Sequence, residues 1–369
     1  MKRDVFYIAG YDPRSYRFYY KLYKENLKEY NKISNQNINI TNVKFDEEYK
    51  YFNINNNSLN AKYTFLEWHN IVKQCWFKNS FDIFKDYIYV LIHFIFNFQF
   101  VKFYRVYKNS LITGFYPAIM LTLIYIFMII CTFVMYENIN NIYIFFCFFI
   151  CFIYIFDKVI LFLCKKFAIS WLLNIFVFSS RLAKNKIKNI DYIINKFVNV
   201  IFDKLNNSKN YELILISHSV GTIINIMVLC ELIKKCERLN VNYQNLKIIT
   251  LGECIPMCSL INDNSYFMQC LKYLSDKDIF WVDFTSKIDG ACFYLIDFFK
   301  VSGVKSNKNI IYLSSAFYKL YDKTYYKKII RKWYKVHFLY LFATHYLGQY
   351  DFFAFSASDK KLEEKIKRV

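Results

Sequence analysis

The chain has 369 residues, 56% of them hydrophobic and 21% aromatic, which excludes a disordered chain, a collagen and a low-complexity linker. A formal charge of +20 points to an anionic partner, nucleic acid or the anionic face of a membrane. The apolar content favours the membrane and leaves no role for nucleic acid. Its 11 cysteines are odd in number and form no C-x-x-C pair; Cys131, Cys147, Cys151 and Cys164 lie in apolar runs. A disulfide framework and a zinc ribbon are therefore not expected, and reduced thiols facing a cytosolic compartment are.

In chain order, MKRDVFYIAGYDPRSYRFYY lacks the long apolar stretch of a secretory signal. Within it, VFYIA at 5–9 reads as a short strand ending at Gly10. Residues 14–30 read as a basic aromatic helix, and INITNVKF at 38–45 as a strand. The stretch 87–104 is apolar and aromatic but interrupted by His93, Asn97, Gln99 and Lys102, so an interfacial or half-buried helix is expected.

From Asn109 to Tyr136 no residue is charged. After the polar ENINN, apolar character continues through IYIFFCFFICFIYIF and, past Asp157 and Lys158, VILFLC. Two spans are predicted, about 112–136 and 141–163, each long enough for ~30 Å of hydrocarbon. In lipid only a helix satisfies its own backbone, so a transmembrane helical hairpin follows. Lys102, Arg105 and Lys108 precede the hairpin, Lys165, Lys166 and Arg181 follow it, and its turn has no Lys or Arg. The positive-inside rule then sets both soluble parts in the cytoplasm of a multi-pass inner-membrane protein. Residues 167–178 are a second candidate for the interface.

Beyond the hairpin, Ile187, Ile190, Ile194, Phe197, Ile201 and Leu205 recur at spacings of three and four, an amphipathic helix. ELILIS at 212–217, LKIITLG at 246–252 and DIFWVDF at 278–284 read as strands, with VGTIINIMVLCELIKK a helix between the first two. This alternation implies a mostly parallel sheet covered by helices on both faces. Three parts result: 1–80, a membrane insertion 81–180, and 181–369.

The sharpest motif is ELILISHSVGTIIN, residues 212–225, where a buried strand runs into S-H-S-V-G and then directly into a helix. That is the setting of a nucleophile elbow, with Ser217 in place of the usual first glycine and Gly221 as the second. Ser219 would stand at the carboxyl end of the sheet, with the Val220 N–H facing a developing oxyanion. A second oxyanion donor is expected from the loop after the first strand, at Tyr11 beside Gly10. A serine nucleophile needs a base and an acid, which in α/β-hydrolases follow it in the order acid, then histidine. Asp289, next to Gly290 and just past a late strand, is the favoured acid; Asp283 and Asp297 flank it. His337 and His345 are the two downstream histidines.

VFYIAGYDPRSYRFYYKLYKENLKEY, YTFLEWHNIVKQCW, ISHSVGT, DFTSKIDGACFYLIDFFKVSGV and HFLYLFATHYLGQYDFF together resemble a group of bacterial membrane-associated α/β-hydrolase-like proteins, esterase- or lipase-like and mostly uncharacterised. Many of them carry a transmembrane hairpin at this place. The resemblance covers most of the chain outside the hairpin. It implies an α/β-hydrolase-like sheet interrupted by the hairpin. It puts the late histidine at His337, and an acidic residue where this chain has His69. The position of His337 before FLYLFATHY, read as the fold's last helix, agrees and would set His345 two turns along that helix.

No Gly-rich phosphate loop is present, Cys254 and Cys258 are too isolated for a metal site, and no cofactor or metal is expected. KKLEEKIKRV at 360–369 reads as a short charged helix. The expected function is ester hydrolysis by Ser219, His337 and Asp289 on a lipid or amphiphilic substrate at the bilayer. A catalytically silent membrane scaffold is the alternative, and a transporter subunit a weaker third.

Overall fold

A computed structural model of the chain describes residues 2–46, 49–56, 59–207, 212–306 and 310–366; the side chains of 109–113 and 333 are outside the description. The chain divides into two units, Met1–Gln74 with Leu182–Val369, and Cys75–Arg181.

The first unit is built on one mixed sheet. Its strands are β1 (Lys2–Ile8), β2 (Asn39–Ile40), β3 (Lys44–Phe45), β4 (Lys50–Asn56), β5 (Leu59–Leu66), β6 (Glu212–His218), β7 (Leu246–Leu251), β8 (Phe280–Thr285) and β9 (Ile311–Ser314). They lie in the order β2-β4-β5-β1-β6-β7-β8-β9, with β3 also on β4. From β5 through β9 every pairing is parallel, and β2, β3 and β4 are antiparallel additions at one edge. The predicted strand over 38–45 is instead two two-residue strands, because Asn42 and its neighbours turn between two contacts with β4.

The central strands are buried, β6 along its whole length and β1 from Arg3 onward, as a parallel sheet covered on both faces requires. One covering helix, Gly221–Arg238, buries nearly all of its first three turns. The amphipathic pattern predicted over 187–205 is the helix Ile190–Asn207, with Ile194, Phe197, Ile201 and Leu205 buried. On the other face, helix Tyr16–Ser34 contributes Tyr19, Tyr23, Leu27 and Tyr30 to an aromatic core with Phe52, Tyr63 and Phe353. Arg3 is buried at the start of β1, where Glu212 accepts from its Nε at 2.8 Å and the carbonyl of Ser358 from its Nη1 at 2.8 Å. The ion pair ties the amino ends of β1 and β6 to the chain's last turn. Residues 367–369 of the predicted tail helix lie outside the described residues, and Leu362–Ile366 is helical.

The second unit contains the two apolar helices, Asn109–Asn138 and Ile142–Lys166. Gly114–Asn138 and Ile142–Lys166 are each 25 residues long, about 37 Å at 1.5 Å per residue, enough to cross ~30 Å of hydrocarbon. Asn141 caps the second helix, accepting from the Tyr143 and Ile144 N–H groups. Gly114 lets the Phe100 ring lie against the first, since a Cβ there would come within 2.6 Å of that ring.

The stretch 87–104, expected as an interfacial or half-buried helix, is broken. Ser80–Val90 runs into a widened turn over Leu91–Phe96, and a 69° bend separates it from Gln99–Val106. Phe98, at φ 52°, makes the bend. Residues 167–178, a candidate for the interface, include most of helix Ile169–Ala183, whose Leu172, Leu173, Val177 and Phe178 are buried.

Candidate functional site

The site is assembled at the carboxyl ends of β1, β6, β7 and β8. The connection leaving β1 leads to β2, beyond β5 on one side of it, while the connection leaving β6 leads to β7 on the other side, so the crevice between β1 and β6 is a switch point where ligands bind in open α/β sheets.

Ser219 follows the last residue of β6 and precedes helix Gly221–Arg238 by two positions. Its φ is +56°, a left-handed conformation that non-glycine residues rarely adopt. The turn is held from several sides. The Ser219 N–H donates to the Leu251 carbonyl at 2.9 Å, and the Ser219 carbonyl accepts from the Thr222 N–H at 2.9 Å and its hydroxyl at 2.6 Å. The same Thr222 Oγ1 accepts from the Cys254 N–H at 3.1 Å. A Cβ at Gly221 would lie 2.5 Å from the Ala9 carbonyl oxygen and 2.9 Å from that of Ile8, so β1 passes this turn at a distance only glycine allows. A Cβ at Gly10 would lie 2.9 Å from that of Ser219. The Gly10–Tyr11 loop is thus against the serine. Tyr11 is buried with its ring 6.1 Å from Trp68, whose indole N–H donates to the Ala9 carbonyl at 2.8 Å. Val220 sits just before the first helical residue, where amides have no intrahelical acceptor.

Asp289 and His337, 48 residues apart, are joined directly. His337 Nδ1 lies 2.9 Å from Asp289 Oδ2 and 3.1 Å from Oδ1, with both side chains buried. Asp289 also accepts from the Ala291 N–H at 3.0 Å and the Tyr340 hydroxyl at 3.1 Å. Burial pushes the Asp289 carboxyl up, but the His337 ring beside it and the Ala291 N–H outweigh burial and hold it below the ordinary carboxylate range. A carboxylate bonded to Nδ1 fixes the tautomer and leaves Nε2 as the basic nitrogen.

Asp283 and Asp297, the other two acids, go elsewhere. Asp283 is buried in β8 and accepts from the Thr250 hydroxyl at 2.6 Å; burial pushes its carboxyl up to about 7. Asp297 caps helix Phe298–Val301 through the Lys300 N–H. His345 is not on a helix. After the short turn Leu339–Leu341 the chain is irregular until Phe352–Ala357, and His345 Nδ1 accepts from the Asp322 N–H on the exposed surface. The apolar spacing of FLYLFATHY comes from residues that plug the core, Leu339, Tyr340 and Leu341, not from a helical face. His69 opens helix His69–Cys75, with Nδ1 3.2 Å from Glu67 Oε1.

Two neighbours of the site escaped the sequence reading. His218 is buried and its ring lies 4.8 Å from that of His337, with Nε2 2.9 Å from the His337 carbonyl. Burial, then the neighbouring His337, push its imidazole down to about 3, so it is neutral and donates from Nε2. Cys254 is the second: among the described residues it is the hydrogen-bonding neighbour of the Ser219 hydroxyl, with Sγ 3.9 Å from Oγ. Burial raises that thiol well above its ordinary value, so it stays protonated. The strand–serine–glycine pattern gave no signal for a cysteine 35 positions away.

Comparison with family models, curated proteins and solved structures finds no match for this chain.

Proposed function

We propose that the chain is a membrane-anchored serine hydrolase of α/β-hydrolase type that cleaves a carboxylic ester of a lipid or amphiphile. The observation that carries the reading is the left-handed Ser219 turn at the same sheet end as a buried Asp289–His337 pair. Strand order supports it too, with the serine after a central strand, the acid two strands on and the histidine after the last.

In this reading Ser219 Oγ attacks the ester carbonyl carbon while His337 Nε2 takes its proton. Asp289 stabilises the imidazolium without being protonated. The Val220 and Tyr11 N–H groups receive the oxyanion. Collapse of the adduct expels the alcohol, which takes the proton from His337, and water then hydrolyses the acyl-serine. The two apolar helices keep the enzyme at the bilayer, with both flanks in the cytoplasm by the charge rule, so that amphiphilic esters are the nearest substrates. No cofactor enters the scheme.

One observation favours the second reading, a silent scaffold: the Ser219 hydroxyl lies beside the Cys254 thiol, with Sγ 3.9 Å from Oγ. Catalytic hydrogen bonds are often loose before substrate binds, which keeps hydrolysis ahead. Turnover of a short-chain ester by the detergent-purified full chain separates the two. Hydrolysis that disappears in Ser219→Ala supports the enzyme; no hydrolysis of short- or long-chain esters by the folded wild type supports the scaffold.

A further inference from the structure

Away from the serine, two helices packed on each other bring two thiols and a carboxylate together. Cys230 and Glu231 come from helix Gly221–Arg238, and Cys270 from helix Ser265–Leu274. Their Sγ, Oε and Sγ atoms all lie within 4.8 Å of one another. We propose that they bind a thiophilic divalent cation of the zinc type, which ties the second helix to the first.

The geometry is close to what such an ion needs. A point equidistant from three atoms at most 4.8 Å apart in an even triangle is about 2.8 Å from each, against about 2.3 Å for Zn–S and 2.0–2.2 Å for Zn–O. Closing the remaining half ångström needs only small side-chain rotations. The chemistry is matched as well. Two thiolates select a soft or borderline cation over magnesium or calcium. Both cysteines are buried, whereas the Glu231 side chain is 31% exposed, which gives the ion a way in and leaves its fourth position to water.

The surroundings fit a second shell. The Tyr266 hydroxyl donates to Glu231 Oε1 at 3.1 Å and would orient the carboxylate. Lys234 Nζ, 2.9 Å from the same oxygen, puts a positive charge at the site. Two thiolates, one carboxylate and a divalent cation sum to −1, and the Lys234 ammonium, displaced from Oε1 but still near, balances it. Cys230 is nine positions along the helix from Gly221, about 14 Å, so the site serves the fold rather than the Ser219 chemistry.

The test is a Co(II) titration of the reduced, chelator-treated full chain in detergent. One Co(II) per chain should bind with thiolate-to-cobalt charge-transfer absorbance, and one equivalent of Zn(II) should abolish that absorbance. Cys270→Ser and Cys230→Ser should each weaken binding at least about tenfold and reduce the band, while Glu231→Gln weakens binding and keeps it. Chelation should lower the thermal midpoint of the wild type but not of Cys270→Ser. A folding defect in a variant leaves the wild-type stoichiometry and Zn(II) displacement to decide. Absence of a thiolate band in the wild type overturns the proposal. So does a band that persists in the folded double serine variant, which would come from the other thiols, or a Cys230–Cys270 disulfide in place of bound metal.

Discussion

In β6, Leu213, Ile214, Leu215 and Ile216 are all fully buried, while in the hairpin Phe127 and Phe133 are each 62% exposed and Ile150 67%. The two regions use the same kinds of residue. In the sheet unit the apolar side chains of the central strands are packed among protein partners. In the hairpin the outer faces have none, and only 11% of each apolar window is buried. Both helices of the hairpin are long and apolar enough to span a membrane. What separates them from the core strands is run length and all-round hydrophobicity, not apolar content. The sheet unit holds every candidate catalytic group, and the hairpin none.

That division of labour can be broken most sharply by mutation at the site. Ser219→Ala and His337→Ala should each lower kcat for an ester by on the order of 10⁴–10⁶, and their double variant by no more, because members of a catalytic unit are not additive. Asp289→Asn should cost less, about 10³–10⁴. Losses of this size from any exposed hairpin residue would contradict the division. Steady-state rates on purified, folded variants decide.

A stability comparison sharpens it further. Ile216→Ala should destabilise the sheet unit by about 2–5 kcal/mol. Gly221→Ala should cost at least about 2 kcal/mol, since the β1 backbone cannot retreat from the added methyl. Phe133→Ala should leave the same unfolding transition within about 0.5 kcal/mol. Denaturant midpoints in detergent read all three.

Acid stability gives a smaller effect. The folded state keeps His218 neutral down to about pH 3, whereas the unfolded chain protonates below about pH 6.5. The unfolded state then binds more protons, so stability falls as pH drops through this window, by up to about 1.4 kcal/mol per unit. Asp283 has the opposite sign: with its carboxyl raised to about 7, it contributes stability that is lost as pH rises from about 4 to 7. His218→Gln should flatten the first slope and Asp283→Asn the second, in unfolding curves taken from pH 4 to 8. The smallest effect expected is from His345→Ala, which should change kcat less than about twofold, since that ring lies on the exposed Asp322 turn.

Much of this was legible in the sequence where a local pattern carries the physics. Strands β6, β7 and β8 are buried on both faces, so they read as continuous apolar runs. The hairpin was visible through two long apolar runs, the first of them without charge. β4 and β5 were not recognised: polar residues of KYFNINN alternate with buried Phe52 and Ile54, and Asn-rich composition imitates a loop. β9 has only four half-buried residues. The helix expected after His337 failed because core-plugging residues in irregular chain imitate helical spacing. At the site, Ser219 stood out because turn, strand and helix are contiguous. Asp289 and His337 meet 48 residues apart, and no local signal joins them. Cys254 and His218 matter only through the tertiary arrangement that sets one against the serine and the other against the late histidine.

The central claim is that Ser219 is an activated nucleophile. Its most direct test is labelling of the full-length detergent-purified protein with a fluorophosphonate probe, followed by mapping of the modified peptide. The account predicts one adduct per chain, on Ser219, lost in Ser219→Ala and strongly slowed in His337→Ala. A folded wild-type protein that stays unlabelled, or carries its adduct on another residue, would contradict it.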